Sequence, residues 1–278
     1  MEMKTTIRNA NGLNFRVFDE GSGEPVLLLH GYPDSIYLWR EVIPLFLQQG
    51  YRVITYDQRG FGESDAPVGI ENYRIKHMVK DFKALLKLLV GSAPIKVIGH
   101  DWGASVGWAA AIGFPELFSS LVAISVGHPT AYYKEGGFEQ EKKRWYTLAF
   151  LWEGFAETLF SQNDWAAFRL FFNYHAEVDK RWIPDLSREG RFTAALNWYR
   201  ANIPAGYETQ ISAPACKVPT LGIYSEFDIA LSEAQMVNSQ NHMAAPWVYR
   251  KISDCGHHIP LDKPIELVNT ILDYYKGL

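Results

Sequence analysis

No stretch constrains the fold of this chain more than residues 95–112, Ile-Lys-Val-Ile-Gly-His-Asp-Trp-Gly-Ala-Ser-Val-Gly-Trp-Ala-Ala-Ala-Ile. It opens on a short apolar, β-branched run, the pattern of a buried strand. It closes on an Ala-rich segment too long for a strand and apolar on every side, which predicts a buried helix. Between them, Gly99-His100-Asp101-Trp102-Gly103 sets glycines two before and two after a central residue. Glycines so placed let the backbone reverse within one tight, strained turn. This is the G-x-S-x-G nucleophile elbow with a carboxylate where serine stands. Such a turn lifts one side chain over the sheet edge and aims the next backbone N–H at the same point. Asp101 is therefore a candidate nucleophile. An Asp between a strand and a helix also serves as a plain N-cap, and the rest of the chain has to separate the two readings.

The flanking segments predict an α/β fold. Residues 5–9 and 14–19 alternate as a hairpin around Asn11-Gly12. Residues 26–29, 52–56, 121–125, 220–224 and 247–252 read as further strands. Helical spacing appears in Trp39, Val42, Ile43, Phe46 and Leu47, where Pro44 predicts a kink, and in Met78, Phe82, Leu85, Leu86 and Leu89. A last helix begins at Pro264 with Leu267, Val268, Ile271, Leu272 and Tyr275 facing inward. Strands alternating with helices predict a mostly parallel sheet flanked by helices on both faces. That rhythm stops from about 128 to 213. Five of the nine tryptophans (Trp145, Trp152, Trp165, Trp182, Trp198) and six of the fifteen tyrosines fall there, with no strand pattern. The expected organisation is a core domain of residues 1–128 and 213–278 with a helical cap of 129–212, a lid suited to an apolar substrate.

A net charge of −4 without any basic cluster argues against a nucleic-acid partner. No run of about 18 apolar residues is present to span a membrane, and no signal peptide pattern opens the chain. Cys216 and Cys255 form neither a disulfide framework nor a metal-ligand spacing. The expectation is a cytoplasmic enzyme acting on a small apolar molecule, with no cofactor and no metal. The oligomeric state is not legible.

An elbow nucleophile takes its partners in the chain order nucleophile, acid, histidine. Strand 220–224 runs into Ser225-Glu226-Phe227-Asp228, and strand 247–252 into Ser253-Asp254-Cys255-Gly256-His257-His258. Both follow the C-terminal end of a strand, where open α/β sheets build their sites. Asp228 is the expected acid, with Glu226 as the alternative, and His257 the expected base, with His258 as its rival. No carboxylate follows the strand at 121, which removes the competing position for the acid. His30-Gly31-Tyr32-Pro33 follows the strand at 26–29, where such enzymes supply a second oxyanion donor. The expected donors are the backbone amides of Tyr32 and Trp102, and the Tyr32–Pro33 bond is a candidate cis peptide.

With His30-Gly31-Tyr32-Pro33-Asp34-Ser35, Tyr56-Asp57-Gln58-Arg59-Gly60-Phe61-Gly62-Glu63-Ser64 and Gly99-His100-Asp101-Trp102-Gly103, the chain resembles the α/β-hydrolases of the epoxide hydrolase and haloalkane dehalogenase group over nearly its whole length. With Asp in the elbow, the resemblance implies displacement at a saturated carbon, an alkyl ester on Asp101, and hydrolysis of that ester by water activated by His257. Epoxide hydrolases protonate the departing oxygen with two cap tyrosines. Leu196-Asn197-Trp198-Tyr199-Arg200 is similar to the segment carrying one of them, which implies that role for Tyr199. Tyr146, ahead of Glu153-Gly154-Phe155-Ala156-Glu157, is similar in place to the other. Tyrosine suits this work because its neutral O–H donates at neutral pH. Haloalkane dehalogenases instead pair the Trp after the nucleophile with an Asn after His-Gly or a cap Trp. Trp102 is present, but Tyr32 stands at the His-Gly position, so that activity is the alternative. A non-catalytic receptor on the same fold is a third reading. Ser225 stands where Gly is common in the group, Trp102 lacks the charge of the Arg used by fluoroacetate dehalogenases, and no N-terminal phosphatase domain of the kind some vertebrate relatives carry is expected.

Overall fold

The computed structural model describes residues 3–203 and 212–278. Eight strands form one sheet: β1 (Thr5–Ala10), β2 (Leu13–Glu20), β3 (Pro25–Leu29), β4 (Arg52–Tyr56), β5 (Ile95–His100), β6 (Phe118–Ile124), β7 (Thr220–Ser225) and β8 (Trp247–Ile252). Their order across the sheet is β1-β2-β4-β3-β5-β6-β7-β8. β1 and β2 pair antiparallel, as do β2 and β4, and every later pairing is parallel. The first hairpin turns on Asn11 and Gly12, both at positive φ, the requirement of a two-residue hairpin turn that follows the strand twist.

The central strands are apolar on both sides, and their two faces feed two separate cores. Leu27, Leu29, Val97, Leu121 and Ala123 belong to one buried cluster. Their neighbours Val26, Leu28, Ile98, Val122 and Ile124 belong to the other. This two-residue alternation is the strand period. Helices Ile75–Leu89 and Trp102–Gly113 cover the first face with Met78, Phe82, Leu85, Val106 and Trp108. Helices Val42–Gln48 and Pro264–Tyr275 cover the second with Val42, Phe46, Leu267 and Ile271. The expected kink at Pro44 does not occur as such. Trp39 ends a separate 3₁₀ turn, Ile36–Trp39, and the α-helix starts at Val42, which puts Pro44 in its first turn. A first-turn N–H has no intrahelical acceptor, so proline costs nothing there.

Between β6 and β7 the described residues contain helices and turns and no strand. Helices Pro129–Lys134, Gly137–Lys143, Trp145–Phe150, Phe155–Phe171 and Arg191–Asn202 are the main ones. The long one breaks at 162–165, where Asn163, Asp164 and Trp165 take positive φ. Phe150, Phe168, Trp182 and Trp198 from this segment join the core on the first sheet face. Residues 204–211 of the expected cap, Tyr207 among them, lie outside the described residues. No described helix is long and apolar enough to cross a membrane.

Candidate active site

The elbow forms where β5 hands over to helix Trp102–Gly113. Asp101 itself carries the strain, with φ 54° and ψ −122°, a region costly for a non-glycine residue. Gly99 and Gly103 are not at positive φ. They are needed for a different reason: a Cβ on Gly99 would meet the backbone of Gly103 and Ala104, and one on Gly103 the carbonyls of Leu29 and His30. The motif's glycines let strand, turn and helix approach closely. The N-cap reading of Asp101 fails, because its side chain makes no capping hydrogen bond to the helix. Instead Oδ1 accepts the backbone N–H of Tyr32 at 2.8 Å. Trp102 is the first helical residue, so its N–H has no intrahelical acceptor. The Tyr32–Pro33 peptide is cis.

The loop after β4 holds this turn in place. Gln58 donates its backbone N–H to His30 Nε2 at 2.9 Å, and its side-chain amide donates to the His30 carbonyl. His30 therefore carries its proton on Nδ1, which faces the Gly31 carbonyl at 3.1 Å. Asp57 in the same loop accepts the N–H groups of Ile36 and Glu63 and pairs with buried Arg16.

Asp228 and His257 reach Asp101 from β7 and β8. His257 Nδ1 lies 2.8 Å from Asp228 Oδ2, and Nε2 lies 3.7 Å from Asp101 Oδ2. Asp228 Oδ1 accepts the N–H groups of Ala230 and Leu231 at 2.8 and 2.9 Å. Burial opposes ionisation of Asp228, but His257 and these two N–H groups outweigh it and hold the carboxyl below its usual range. Burial likewise opposes the imidazolium, and Asp228 together with Asp101 overcomes it, lifting His257 to about 10. His100 Nε2 sits 2.8 Å from the His257 carbonyl and anchors that loop to the elbow.

The rival residues go elsewhere. His258 packs its ring 4.5 Å from Trp182, its Nε2 has no partner, and burial drives its pKa well below 6.5. Glu226 is half-buried and accepts the Asp254 N–H at 3.1 Å. His100, His257 and His258 are the one set of three possible metal ligands among the described residues, within 4.8 Å of one another. Two of the three rings are already committed, His257 to Asp228 and His100 to a backbone carbonyl.

A cavity of about 220 Å³ opens over Asp101, lined by Trp102, Trp108, Tyr132, Tyr146 and Tyr199 among others. Asp101 is the only charged residue in that lining among the described residues. The Tyr146 and Tyr199 rings stand 6.0 Å apart, and Tyr199 packs edge-on against Trp102 and Tyr32. Burial raises both phenols well above 10, and neighbouring tyrosines and the Asp101 carboxylate add to it. Both therefore remain O–H donors at any ordinary pH. A separate void of about 20 Å³ is bordered by Tyr32, Asp101, Tyr199 and His257, room for about one water molecule.

Several contributors are invisible in one dimension. Tyr132 and Tyr133 line the cavity, yet nothing in Ala131-Tyr132-Tyr133-Lys134 marks them. Arg200 pairs with Glu157 at 2.8 Å and donates to the Phe150 carbonyl at 3.0 Å. That bond ties the helix of Tyr199 to the helix of Tyr146. Its position directly after Tyr199 was the only available signal.

Comparison with known proteins finds relatives that match nearly the whole chain. The chain is 30% identical to bifunctional epoxide hydrolase 2 of Sus scrofa over 95% of its own length and 53% of that protein. It thus spans about half of that relative. It is 30% identical to AB hydrolase superfamily protein YfhM of Bacillus subtilis (strain 168), with 99% of each chain covered. The crystal structure of epoxide hydrolase A from Mycobacterium thermoresistibile matches with a TM-score of 0.75 at 26% identity, over 100% of this chain and 99% of that one. The family model described as an alpha/beta hydrolase fold covers residues 24–264. With its mostly parallel sheet, its strained elbow and these relatives, the chain belongs to the α/β-hydrolase fold family.

Proposed function

We propose that this protein hydrolyses apolar epoxides to vicinal diols through an alkyl ester on Asp101. One observation carries the reading: an Asp101 carboxylate with Oδ1 held by the Tyr32 N–H and Oδ2 facing His257, beneath two buried phenols. In the first step Oδ2 attacks an epoxide carbon and the C–O bond of the ring breaks. Tyr146 and Tyr199 donate to the departing oxygen, which takes the proton of one of them; as Asp101 loses its charge the His257 imidazolium gives up its proton, and that phenol is restored. In the second step His257 Nε2 takes a proton from a water seated in the 20 Å³ void. The hydroxide adds to the ester carbonyl, and charge gathers on Oδ1, where the Tyr32 and Trp102 N–H groups receive it. Collapse breaks the acyl C–O bond, the departing alkyl oxygen takes the proton of the acid just formed, and the diol leaves with the Asp101 carboxylate restored and His257 protonated as in the free enzyme. Asp228 orients the imidazole and stabilises its charged form. Neither step calls for a cofactor.

The order of steps follows from the charges. In the free enzyme two carboxylates hold His257 protonated, raised to about 10. Esterification removes the charge of Asp101, so the imidazole loses one source of that elevation and becomes the base only when an ester is present. Residues 1–128 and 213–278 form the core that carries Asp101, Asp228 and His257, and 129–212 the cap that carries the tyrosines. The two free cysteines fit a cytoplasmic setting. For the dehalogenase alternative, Trp108 is the only indole besides Trp102 in the cavity lining among the described residues, and its N–H already donates to the Val126 carbonyl.

The test is the intact mass of a His257→Gln variant exposed to an aryl epoxide and a haloalkane together. A gain equal to the whole epoxide supports the reading. A gain of the alkyl group without its halogen replaces it with a dehalogenase. No adduct, with no turnover of either compound by the native protein, favours a receptor.

A further inference from the structure

The turn 228–232 holds the carboxylate that orients His257, and the helix Gly137–Lys143 holds that turn. The turn's inward N–H groups, from Ala230 and Leu231, both donate to Asp228 Oδ1. Three of its carbonyls face the helix. Lys143 Nζ donates to Asp228 O at 2.5 Å and to Leu231 O at 3.0 Å, and Gln140 Nε2 donates to Ala230 O at 3.0 Å. Gln140 Oε1 accepts the Ser232 N–H at 2.9 Å. Gln140 is fully enclosed, at 1% exposure. Lys143 has a third acceptor, Tyr224 Oη at 3.4 Å, so its ammonium is spent on neutral oxygens of one short stretch of chain.

These bonds form one continuous series. Lys143 donates to the Leu231 carbonyl, and the N–H of that peptide, on Ser232, donates to Gln140. Gln140 donates to the Ala230 carbonyl, and the N–H of that peptide, on Leu231, donates to Asp228. Asp228 then accepts from His257. A donor placed on a peptide's carbonyl strengthens the N–H at its other end, so the members reinforce one another. Tyr146 stands only three residues beyond Lys143, at the start of the next helix.

We propose that Gln140 and Lys143 are positioning residues for ester hydrolysis, holding Asp228 and through it His257 in line with Asp101. The segment 140–146 then links the proton donor of the first step to the base of the second, so a cap displaced from the core has neither. The proposal rests on the covalent mechanism above.

Single-turnover kinetics with styrene oxide separate ester formation from ester decay, with intact mass reporting the ester fraction. In Lys143→Met, ester decay should slow about tenfold while formation stays within about twofold, a coupling of the size seen for contacting networks. The esterified fraction rises, and the pH limb of decay moves to lower pH because a loosened Asp228 raises His257 less. Lys143→Arg should restore most of the rate. Gln140→Met, uncharged and of similar size, loses both the donor to Ala230 and the acceptor for Ser232 and should show the same pattern, which keeps the test open if Lys143→Met does not fold. Equal slowing of both steps alongside a lowered Tm, or no change in their ratio or in the pH limb, overturns the proposal. A native protein that turns over epoxide without any ester overturns the covalent mechanism and this proposal together. Ester in the native protein with unaltered ratios in the variants removes the positioning role alone.

Discussion

Replacing Tyr199 by Phe isolates the first step. The phenol is 4% exposed and its partner Tyr146 7%, and both remain protonated because burial raises them well above 10. A hydrogen bond to a charged acceptor contributes ~1.5–3 kcal/mol, and a donor to a developing oxyanion in a dry site ~2.7–4 kcal/mol. With Tyr146 left to serve the oxygen alone, the loss should be ~2–3 kcal/mol, or about 30- to 150-fold in ester formation. Ester decay should be unchanged, since no proton of the second step passes through Tyr199. Stopped-flow fluorescence reads both steps, because the Trp102 ring stands 5.2 Å from Tyr199 and senses the filled site. The rate of ester formation should also show no tyrosine titration below pH about 10. Slowing of decay to the same extent as formation, or unchanged formation, would refute the assignment of Tyr199 as a donor.

Three further outcomes follow from the same geometry. Asp228→Asn removes the main charge that raises His257, so the imidazole should titrate well below about 10, by NMR of its ring protons, and ester decay should slow ~10²–10⁴-fold. The native His257 lies above its ordinary 6.5; its ionic contribution to stability is therefore complete below that value and disappears as pH rises towards about 10. Tm should fall between pH 7 and 10, and a His257→Gln variant that falls as steeply contradicts this. Gly103→Ala would drive a methyl into the Leu29 and His30 carbonyls, an overpacking of at least ~1–3 kcal/mol, read as a lowered urea midpoint with loss of ester formation.

Much of this arrangement was legible because it is local. The β-branched run before Gly99, the Ala-rich run after Gly103 and the Asn11-Gly12 pair each express constraints between residues a few positions apart. The order Asp101, Asp228, His257 was equally readable, since each follows the end of a strand and parallel strands deliver those ends to one edge. His257 was the expected base over its rival His258, but spacing along the chain supplied no physical ground for that choice. It depends on Asp228 lying beneath one ring and Trp182 against the other. The role of Gly99 and Gly103 was also misplaced, because it lies in close approach, of Gly99 to the backbone of the following helix and of Gly103 to the end of β3, and not in the glycines' own φ. Tyr132, Tyr133, Gln140 and Lys143 carry no mark in sequence, and the pairing of Arg200 with Glu157 has none beyond the place of Arg200 next to Tyr199. Their partners lie tens of residues away and meet them only after the helices settle on the sheet. Local spacing thus determined the sheet, the elbow and the order of its partners. Tertiary packing alone decided which side chains share the buried space around Asp101, because burial and hydrogen-bond pairing between distant segments have no counterpart in spacing along the chain.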